Sequence, residues 1–354
     1  MTALYDSQKL VNYACNLLKA AGLDTPIAQV VAKTLVEGDL LGHDTHGLGL
    51  LASYIKELET GGMNKSGNPI VLSAKPAVLL WDGQRLPGPW LLDLAYKELA
   101  PRAKKLGIAS LAIKRSHHIA CLAVYLMQAL EEGYLMVLAS SDANSASVAP
   151  YGGTQAVFTP NPIAMGFPIN GDSGVMIDIS ASITTNGMTN RKFKAAEKFE
   201  HDWLMTAQGK PTNDPAAIFA NPPGTLLGVG GFDHGHKGYG MSLMVEALTA
   251  GLAGRGRVDP KEGWGATVHV TLYDINAFCG EAEFQRQMDH VAKLCINNVP
   301  INPSKPVRLP GQSAFTKRQE QLNAGVRLHA SIEPSLADAE SKYGFKLSEC
   351  TVSN

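Results

Sequence analysis

The sequence predicts an α/β-type fold without a Rossmann motif, and three observations support this. Amphipathic helical patterns occupy both ends of the chain. Short apolar runs alternate with helical stretches in the middle, as in α/β proteins. No Gly-x-Gly-x-x-Gly motif follows any apolar run, because the segment 228–231 lacks both the last glycine and a preceding strand.

The first sixty residues predict three helices. Apolar residues at helical spacing indicate one helix before Gly22, a second that begins at Thr25-Pro26, and a third at about 50–58. The motif Gly-His-Asp-Thr-His-Gly at 42–47 falls between the second and third helices. We therefore expect this motif at a helix–helix junction that a ligand can reach.

From about residue 75 the pattern becomes mixed. The expected strands lie at 77–81, 108–113, 134–140, 163–168, 175–179 and 267–273. The expected helices lie at 90–105, 120–131, 238–254, 281–296, 314–324 and 333–343. The stretch 141–235 is rich in Gly, Pro, Asn, Ser and Thr, so we expect it to supply loops around a cleft.

Composition narrows the class of partner. The 31 basic residues nearly balance the 32 acidic ones, so there is no basic field to hold nucleic acid or an anionic membrane. We expect a small-molecule partner. The five cysteines form no Cys-x-x-Cys pair, and no secretory or membrane-spanning pattern is evident, which predicts a cytoplasmic protein.

Six of the ten histidines fall in three short clusters flanked by Gly or Ser. His46 is a candidate general acid or base, since imidazole titrates near neutrality, and Thr45 and Asp44 could orient it. The alternative is that His43 and His46 only cap a helix end. A His-x-x-His metal site is a further alternative, but His-Glu-x-x-His is absent and we expect no metal.

The other two clusters and one carboxylate are also candidates. Ser116-His117-His118 follows an expected strand, where α/β sheets place ligand groups, although two plain loop histidines would look the same. His236-Lys237 precedes an expected helix, whose first amides and the ammonium would suit an anion. Asp178 closes another strand beside Ser180 and could orient a histidine or accept from a ribose hydroxyl.

Taken in order, these motifs resemble the malate/L-lactate dehydrogenase family of non-Rossmann, NAD(P)-dependent oxidoreductases, and most of all its hydroxycarboxylate dehydrogenase B branch. The resemblance covers nearly the whole chain. It rests on Thr45-His46-Gly47, Ser116-His117-His118, the segment 149–153, Pro160-Asn161-Pro162, Ile177-Asp178, the segment 209–215, His236-Lys237-Gly238-Tyr239 and Leu309-Pro310-Gly311.

The resemblance implies a fold, a cofactor and roles for residues. Helices from 1–75 and 300–354 would form one unit, and 76–299 would form a central unit with a mixed sheet, giving an α+β protein. His46 would donate the proton in reduction, with Thr45, His118 and Asp178 as further catalytic residues. The chain would form a homodimer. NAD or NADP would be held by Ala120, Met176, Ile177, Asp178, Ser180, His236, Lys237, Gly311, Gln312 and Arg318.

Three departures from the family pattern bear on the substrate. Thr45 replaces a serine and keeps the hydroxyl, and Pro160 stands where members usually carry threonine. Leu50 stands where many members have an arginine that binds the substrate carboxylate. Either Arg115 or Arg191 supplies this cation instead, or the substrate is bulkier and more apolar.

The sequence thus predicts a nicotinamide-dependent enzyme that interconverts 2-hydroxy and 2-oxo acids. A reductase of cyclic imino acids of the piperideine or pyrroline carboxylate kind is the alternative within the same chemistry. Two other classes remain: a metal-dependent hydrolase or lyase that uses His43, His46 and His118, and a binding protein without turnover.

Overall fold

A seven-stranded mixed sheet forms the centre of the protein, for which a computed structural model describes residues 3–170 and 173–352. The spatial order of its strands is β1-β2-β3-β10-β4-β5-β6. Strands β2 and β3 run parallel, and the other neighbouring pairs are antiparallel. The strands are Ile70–Ala74 (β1), Val78–Asp82 (β2), Ile108–Ser116 (β3), Tyr134–Ser141 (β4), Ile163–Phe167 (β5), Val175–Ile179 (β6) and Ala266–Asp274 (β10).

Strand β10 is the central strand of the sheet, and its sequence suits a buried strand. Four of the five residues in its Thr-Val-His-Val-Thr run are β-branched, and every residue of the strand except Tyr273 is buried. A separate small sheet joins the loop region, with β7 between the other two strands. It consists of Leu204–Met205 (β7), Pro211–Thr212 (β8) and Thr225–Leu226 (β9).

Helices from both ends of the chain pack together beside the sheet. The α-helices are Ser7–Ala20 (α1), Thr25–Leu40 (α2), Leu51–Thr60 (α3), Gly88–Leu106 (α4), Ala123–Glu131 (α5), Asn186–Lys194 (α6), Gly231–His234 (α7), His236–Glu246 (α8), Glu281–Ile296 (α9), Gln312–Ala324 (α10) and Ile332–Tyr343 (α11). Tyr5 and Val326 exchange two backbone hydrogen bonds of 3.0 and 2.7 Å. The Tyr13 hydroxyl donates to Glu340 at 2.8 Å.

The main apolar core is continuous from these helices into the sheet. Leu17 of α1, Tyr54 of α3, Leu111 of β3 and Val268 of β10 belong to one buried cluster, and each has almost no exposed surface. Burial of the apolar side chains in this cluster is the main contribution to the free energy that holds the helices on the sheet. The division into two units with the boundaries given above stays a prediction.

The predicted α+β class without a Rossmann motif is confirmed, and several boundaries differ. Strand β1 was not predicted, because its sequence does not alternate apolar and polar residues. Most of its residues are also exposed. Helix α6 was missed because it is largely polar. Among the described residues, no helix is both long and apolar enough to cross a membrane.

Candidate active site

The motif at 42–47 lies in a tight loop between α2 and α3, which we call the histidine loop. Gly42 has a φ of 89°, in the region that favours glycine, and turns the chain away from α2. The His43 amide then donates to the Gly38 carbonyl at 2.8 Å, and the His46 amide donates to the His43 carbonyl at 2.8 Å. These bonds hold both imidazoles on one short turn.

A buried carboxyl group supports this loop. Asp39 is 2% exposed, and its Oδ2 accepts the Leu48 amide at 2.6 Å. A side chain at Gly47 would overlap the Asp39 carboxylate, so glycine is required there. Burial raises the pKa of Asp39 to about 8, and its Oδ1 has no hydrogen-bond partner. Gln321 of α10 donates to the Asp39 carbonyl at 2.9 Å and fixes the end of α2.

The structure brings His46 and His118 together. Their rings stack with centroids 5.9 Å apart and an angle of 23° between the planes. The Thr45 hydroxyl lies 2.9 Å from His46 Nδ1, so it fixes the ring and leaves Nε2 for a reacting group. Burial lowers the pKa of His46, while the negative charge of Asp178 raises it again.

His118 is oriented by its own loop and by α3. The Ala120 amide donates to His118 Nδ1 at 3.2 Å, which assigns the proton of the neutral ring to Nε2. The Tyr54 hydroxyl donates to the His118 carbonyl at 3.0 Å. Burial lowers the pKa of His118 well below its ordinary value, and the neighbouring His46 and His117 lower it further. His118 is therefore neutral at pH 7 and presents an N–H.

Two aromatic residues that were not predicted as part of the site, Trp264 and Tyr54, pack beside His118. The Trp264 ring lies 4.7 Å from the His118 ring, centroid to centroid, and Tyr54 lies 5.7 Å from Trp264. Tyr54 resembled an ordinary core residue of an amphipathic helix, and no spacing rule links residue 264 to the histidines. The glycines on both sides of Trp264 were the one available signal.

Asp178 is the last residue but one of strand β6 and lies close to the same histidines. Its Oδ2 accepts the Ala123 amide at the start of α5, at 3.0 Å. The Cys121 thiol lies 3.8 Å from this oxygen. The side chain of His43 is also near, since one ligand atom each from His43, Cys121 and Asp178 lie within 4.8 Å of one another.

The two candidate arginines have different surroundings. Arg191 of α6 donates from Nη1 to both carboxylate oxygens of Asp44, at 3.1 and 3.2 Å, directly beside the histidine loop. Arg115 instead pairs with Asp82 at 3.2 Å and with Glu262 at 3.4 Å. Leu50 packs against the main core. Of the two cations, Arg191 is the one placed next to Thr45 and His46.

The candidate dinucleotide segments gather along β6, an edge strand of the sheet. The Met176 amide donates to the Pro310 carbonyl at 3.1 Å, and a side chain at Gly311 would crowd the Met176 backbone. The carbonyl of Ala181, just beyond β6, accepts the Val229 amide at 2.8 Å, which connects β6 to the segment before α8. Ser180 donates to the Ser182 carbonyl at 2.7 Å.

The remaining candidates lie at the borders of this region. Arg318 forms an ion pair with Glu37 of α2. Gln312 Oε1 accepts the Leu309 amide at 2.8 Å. His236 and Lys237 are exposed in the first turn of α8, where the His236 ring lies 5.8 Å from the Tyr151 ring.

One expectation about this last segment is wrong. The helix does not begin at Gly238, because α7 and α8 make the chain helical from Gly231, and the Gly238 amide already donates to the Val229 carbonyl at 2.9 Å. The positive φ values of Gly230 and Gly231 place the turn earlier than the apolar pattern indicated. The Gly238 amide is therefore not free to bind an anion.

Comparison with known proteins decides the family. A family model described as malate/L-lactate dehydrogenase matches residues 5–337. The chain belongs to the malate/L-lactate dehydrogenase family. The predicted resemblance is thereby confirmed, and the chain is an oxidoreductase of the class that acts on hydroxy acids.

Individual relatives of this dehydrogenase agree. Hydroxycarboxylate dehydrogenase B of Escherichia coli O157:H7 is 26% identical over 346 residues, which cover 96% of this chain and 94% of the relative. A Δ1-pyrroline-2-carboxylate reductase of Ancylobacter novellus is 32% identical over 237 residues, or 67% of each chain. The crystal structure of malate dehydrogenase from Entamoeba histolytica superposes with a TM-score of 0.91 at 22% identity, over 98% of this chain and 99% of that one, and shows the shared fold.

Proposed function

We propose that this dehydrogenase interconverts 2-hydroxy acids and 2-oxo acids, with His46 as the group that gives and takes the proton. The observation that carries the proposal is the stacked His46–His118 pair. It brings two histidines that are distant in sequence to one point, each with its Nδ1 engaged locally. Both Nε2 atoms are then available to one substrate oxygen.

A ketone that accepts hydride at carbon develops negative charge on its oxygen. The nicotinamide supplies the hydride when it is bound, and the protein supplies the rest. In reduction, His46 protonated at Nε2 donates this proton to the developing alkoxide. The neutral His118 holds the same oxygen with its Nε2–H. In oxidation, His46 takes the proton back, and its burial favours the neutral form that this step needs.

The residues around β6 fit a nicotinamide dinucleotide. The backbone at Gly311 approaches Met176 closely, Asp178 faces the histidine pair, and the His236 ring and the Lys237 ammonium are exposed in the first turn of α8. Ala120, Ile177, Ser180, Gln312 and Arg318 complete the proposed binding set. Membership of the family supports a nicotinamide dinucleotide as the cofactor.

For the substrate we propose a 2-oxo acid with an apolar side chain. Leu50 provides no cation, whereas Arg191 lies beside the histidine loop and carries a charge that a substrate carboxylate can share with Asp44. The partly exposed Trp264 ring next to His118, which packs on the buried Tyr54, favours an apolar substituent on C3.

Arg191→Met tests this carboxylate partner. We expect KM for the 2-oxo acid to rise about 10–100-fold with a smaller change in kcat, because a charge-assisted hydrogen bond contributes about 1.5–3 kcal/mol. Lys192→Met is the matched control, since Lys192 is on the same helix but pairs with Glu197 at 3.0 Å. Equal KM values for the two variants would remove Arg191 from this role.

The function itself is tested by following nicotinamide absorbance with a substrate panel. Purified protein is mixed with NADH or NADPH and with 2-oxo acids of increasing side-chain size, or with the cyclic imines Δ1-pyrroline- and Δ1-piperideine-2-carboxylate. We expect oxidation with 2-oxo acids and a preference for apolar side chains. The pyrroline-2-carboxylate reductase relative makes imine reduction the second candidate, and turnover of imines alone would replace the first.

We further propose that the enzyme is a cytoplasmic homodimer. All five cysteines are free thiols, which agrees with a reducing compartment. Large apolar side chains are exposed on and after α8, including Leu243, Met244 and Leu252, and this supports burial against a second copy. Light scattering of the purified protein tests the dimer.

A further inference from the structure

Three metal-ligating side chains of different chemistry converge beside the catalytic pair. They are His43 of the histidine loop, Cys121 between β3 and α5, and Asp178 at the end of β6, with ligand atoms within 4.8 Å of one another. Neither His43 nor Cys121 takes part in the proposed proton transfer. We propose that this His43–Cys121–Asp178 cluster is a Zn²⁺ site and that Zn²⁺ bound there inhibits the enzyme.

The positions of the three side chains are close to those that zinc requires. Ligand atoms around tetrahedral zinc lie roughly 3.3–3.7 Å apart, given bond lengths of about 2.0–2.3 Å. Cys121 Sγ and Asp178 Oδ2 are already 3.8 Å apart. Small rotations of His43 and Asp178, which are both only partly buried, close the remaining gaps.

The backbone around the cluster holds its ligands in place. The His43 amide is bonded to the Gly38 carbonyl at 2.8 Å. Cys121 is 2% exposed, so its thiol has a defined position. The Ala123 amide donates to Asp178 at 3.0 Å and orients the carboxylate, as second-shell hydrogen bonds do for metal ligands.

The ligand set selects the metal. One imidazole, one thiolate and one carboxylate suit Zn²⁺, whereas Mg²⁺ and Ca²⁺ prefer oxygen ligands. On binding, the cysteine S–H bond breaks, its proton leaves to solvent and a Zn–S bond forms. Three protein ligands leave one position for water, so binding is reversible by a chelator.

Occupancy of this cluster would affect catalysis in two ways. The carboxylate of Asp178, which favours protonated His46, would be neutralised by the cation. The metal would also lie between Ala120 and the segment 176–178, which we propose to hold the dinucleotide. This inhibition rests on the proposed function, whereas zinc binding itself does not.

Zinc binding is tested first without any assay of activity. The full-length protein is treated with chelator, dialysed and titrated with ZnCl₂ in a calorimeter, with MgCl₂ as the comparison metal. We expect one Zn²⁺ per chain, no Mg²⁺ binding, and at least a tenfold loss of zinc affinity in both Cys121→Ser and His43→Gln. Cys279→Ser, which changes an exposed cysteine, is expected to bind zinc as the unchanged protein does.

The outcomes separate the two proposals. No stoichiometric zinc binding, or equal affinity in Cys121→Ser, His43→Gln and Cys279→Ser, would overturn the site. Circular dichroism checks that the buried Cys121→Ser substitution folds, and the partly exposed His43 provides the second variant. If zinc binds but no dinucleotide-dependent turnover is found without it, the proposed function fails and the site stands.

Inhibition is measured where turnover is found. We expect zinc to lower the rate of the unchanged enzyme, EDTA to restore it, and Cys121→Ser to keep its basal rate while it loses zinc sensitivity. An equal response of Cys121→Ser to zinc, or activation by zinc, would contradict inhibition through this cluster.

Discussion

Replacing His46 with glutamine is expected to lower kcat for 2-oxo acid reduction by about 10²–10⁴-fold, the range for loss of a general acid. Glutamine can still hydrogen-bond the Thr45 hydroxyl, which lies 2.9 Å from the imidazole, but it cannot release a proton to the substrate oxygen. Because the dinucleotide is proposed to lie along β6, its dissociation constant is expected to change little. Steady-state kinetics and a fluorescence titration with NADH or NADPH measure the two quantities.

The control for this substitution is His290→Gln, which changes an exposed histidine of α9 in the same chemical way. It is expected to leave both kcat and dinucleotide affinity unaltered. A kcat for His46→Gln within a few-fold of the unchanged enzyme would remove His46 from the role of proton donor. His118, which presents its Nε2–H to the same point, would then be the next residue to substitute.

The second large effect is expected at Asp39, which supports the histidine loop. Asp39→Asn is expected to raise the free energy of unfolding by about 1–3 kcal/mol at pH 8, and by much less near pH 4. Asparagine still accepts the Leu48 amide, but it removes a carboxyl whose pKa rises to about 8 in the folded protein.

The direction of this pH dependence follows from proton linkage. The unfolded chain releases the Asp39 proton at about pH 3.9, whereas the folded protein keeps it until about pH 8. Between these values the folded state binds more protons, so its stability falls as pH rises and then levels off above the folded pKa. The asparagine variant does not lose stability in this way. The difference in free energy of unfolding between the variant and the unchanged protein therefore grows as the pH rises from about 4 to about 8.

Urea denaturation at pH 5 and pH 8 measures the effect, with two companion variants. Asp274→Asn is the control, because Asp274 is similarly buried but pairs with Lys104 at 3.4 Å. Asp39→Ala is expected to lose about 1–3 kcal/mol, since the Leu48 amide then lacks an acceptor. A difference between Asp39→Asn and the unchanged protein that is the same at both pH values would contradict a buried, protonated Asp39.

The sequence was most informative where one face of an element is buried. Helix α1 has Leu10, Ala14 and Leu17 on one buried face, so its helical spacing was readable. Strand β6 was predicted with the bounds Val175–Ile179, because its apolar run is short and bounded by polar residues. Strand β1 and helix α6 carry no such contrast between faces and were not predicted.

The site shows a similar limit. The flanking glycines and serines drew attention to His46 and His118, but their contact depends on the packing of α3 against the loop after β3. Tyr54 and Asp39 lie within helices and looked like ordinary core or surface positions. Tyr54 contacts His118, 64 positions away, and Asp39 accepts the amide of Leu48, 9 positions away. Local sequence periodicity does not predict such contacts.

Single-turnover reduction with dinucleotide deuterated at C4 of the nicotinamide most directly tests whether this protein moves a hydride to a 2-oxo acid. Both C4 positions carry deuterium, so either face of the ring can react. We expect the 2-hydroxy acid product to carry one deuterium on C2, by mass spectrometry and NMR, and His46→Gln to form it at least 100-fold more slowly. Product without deuterium on C2, or no dinucleotide oxidation with any 2-oxo acid, would contradict the proposed function.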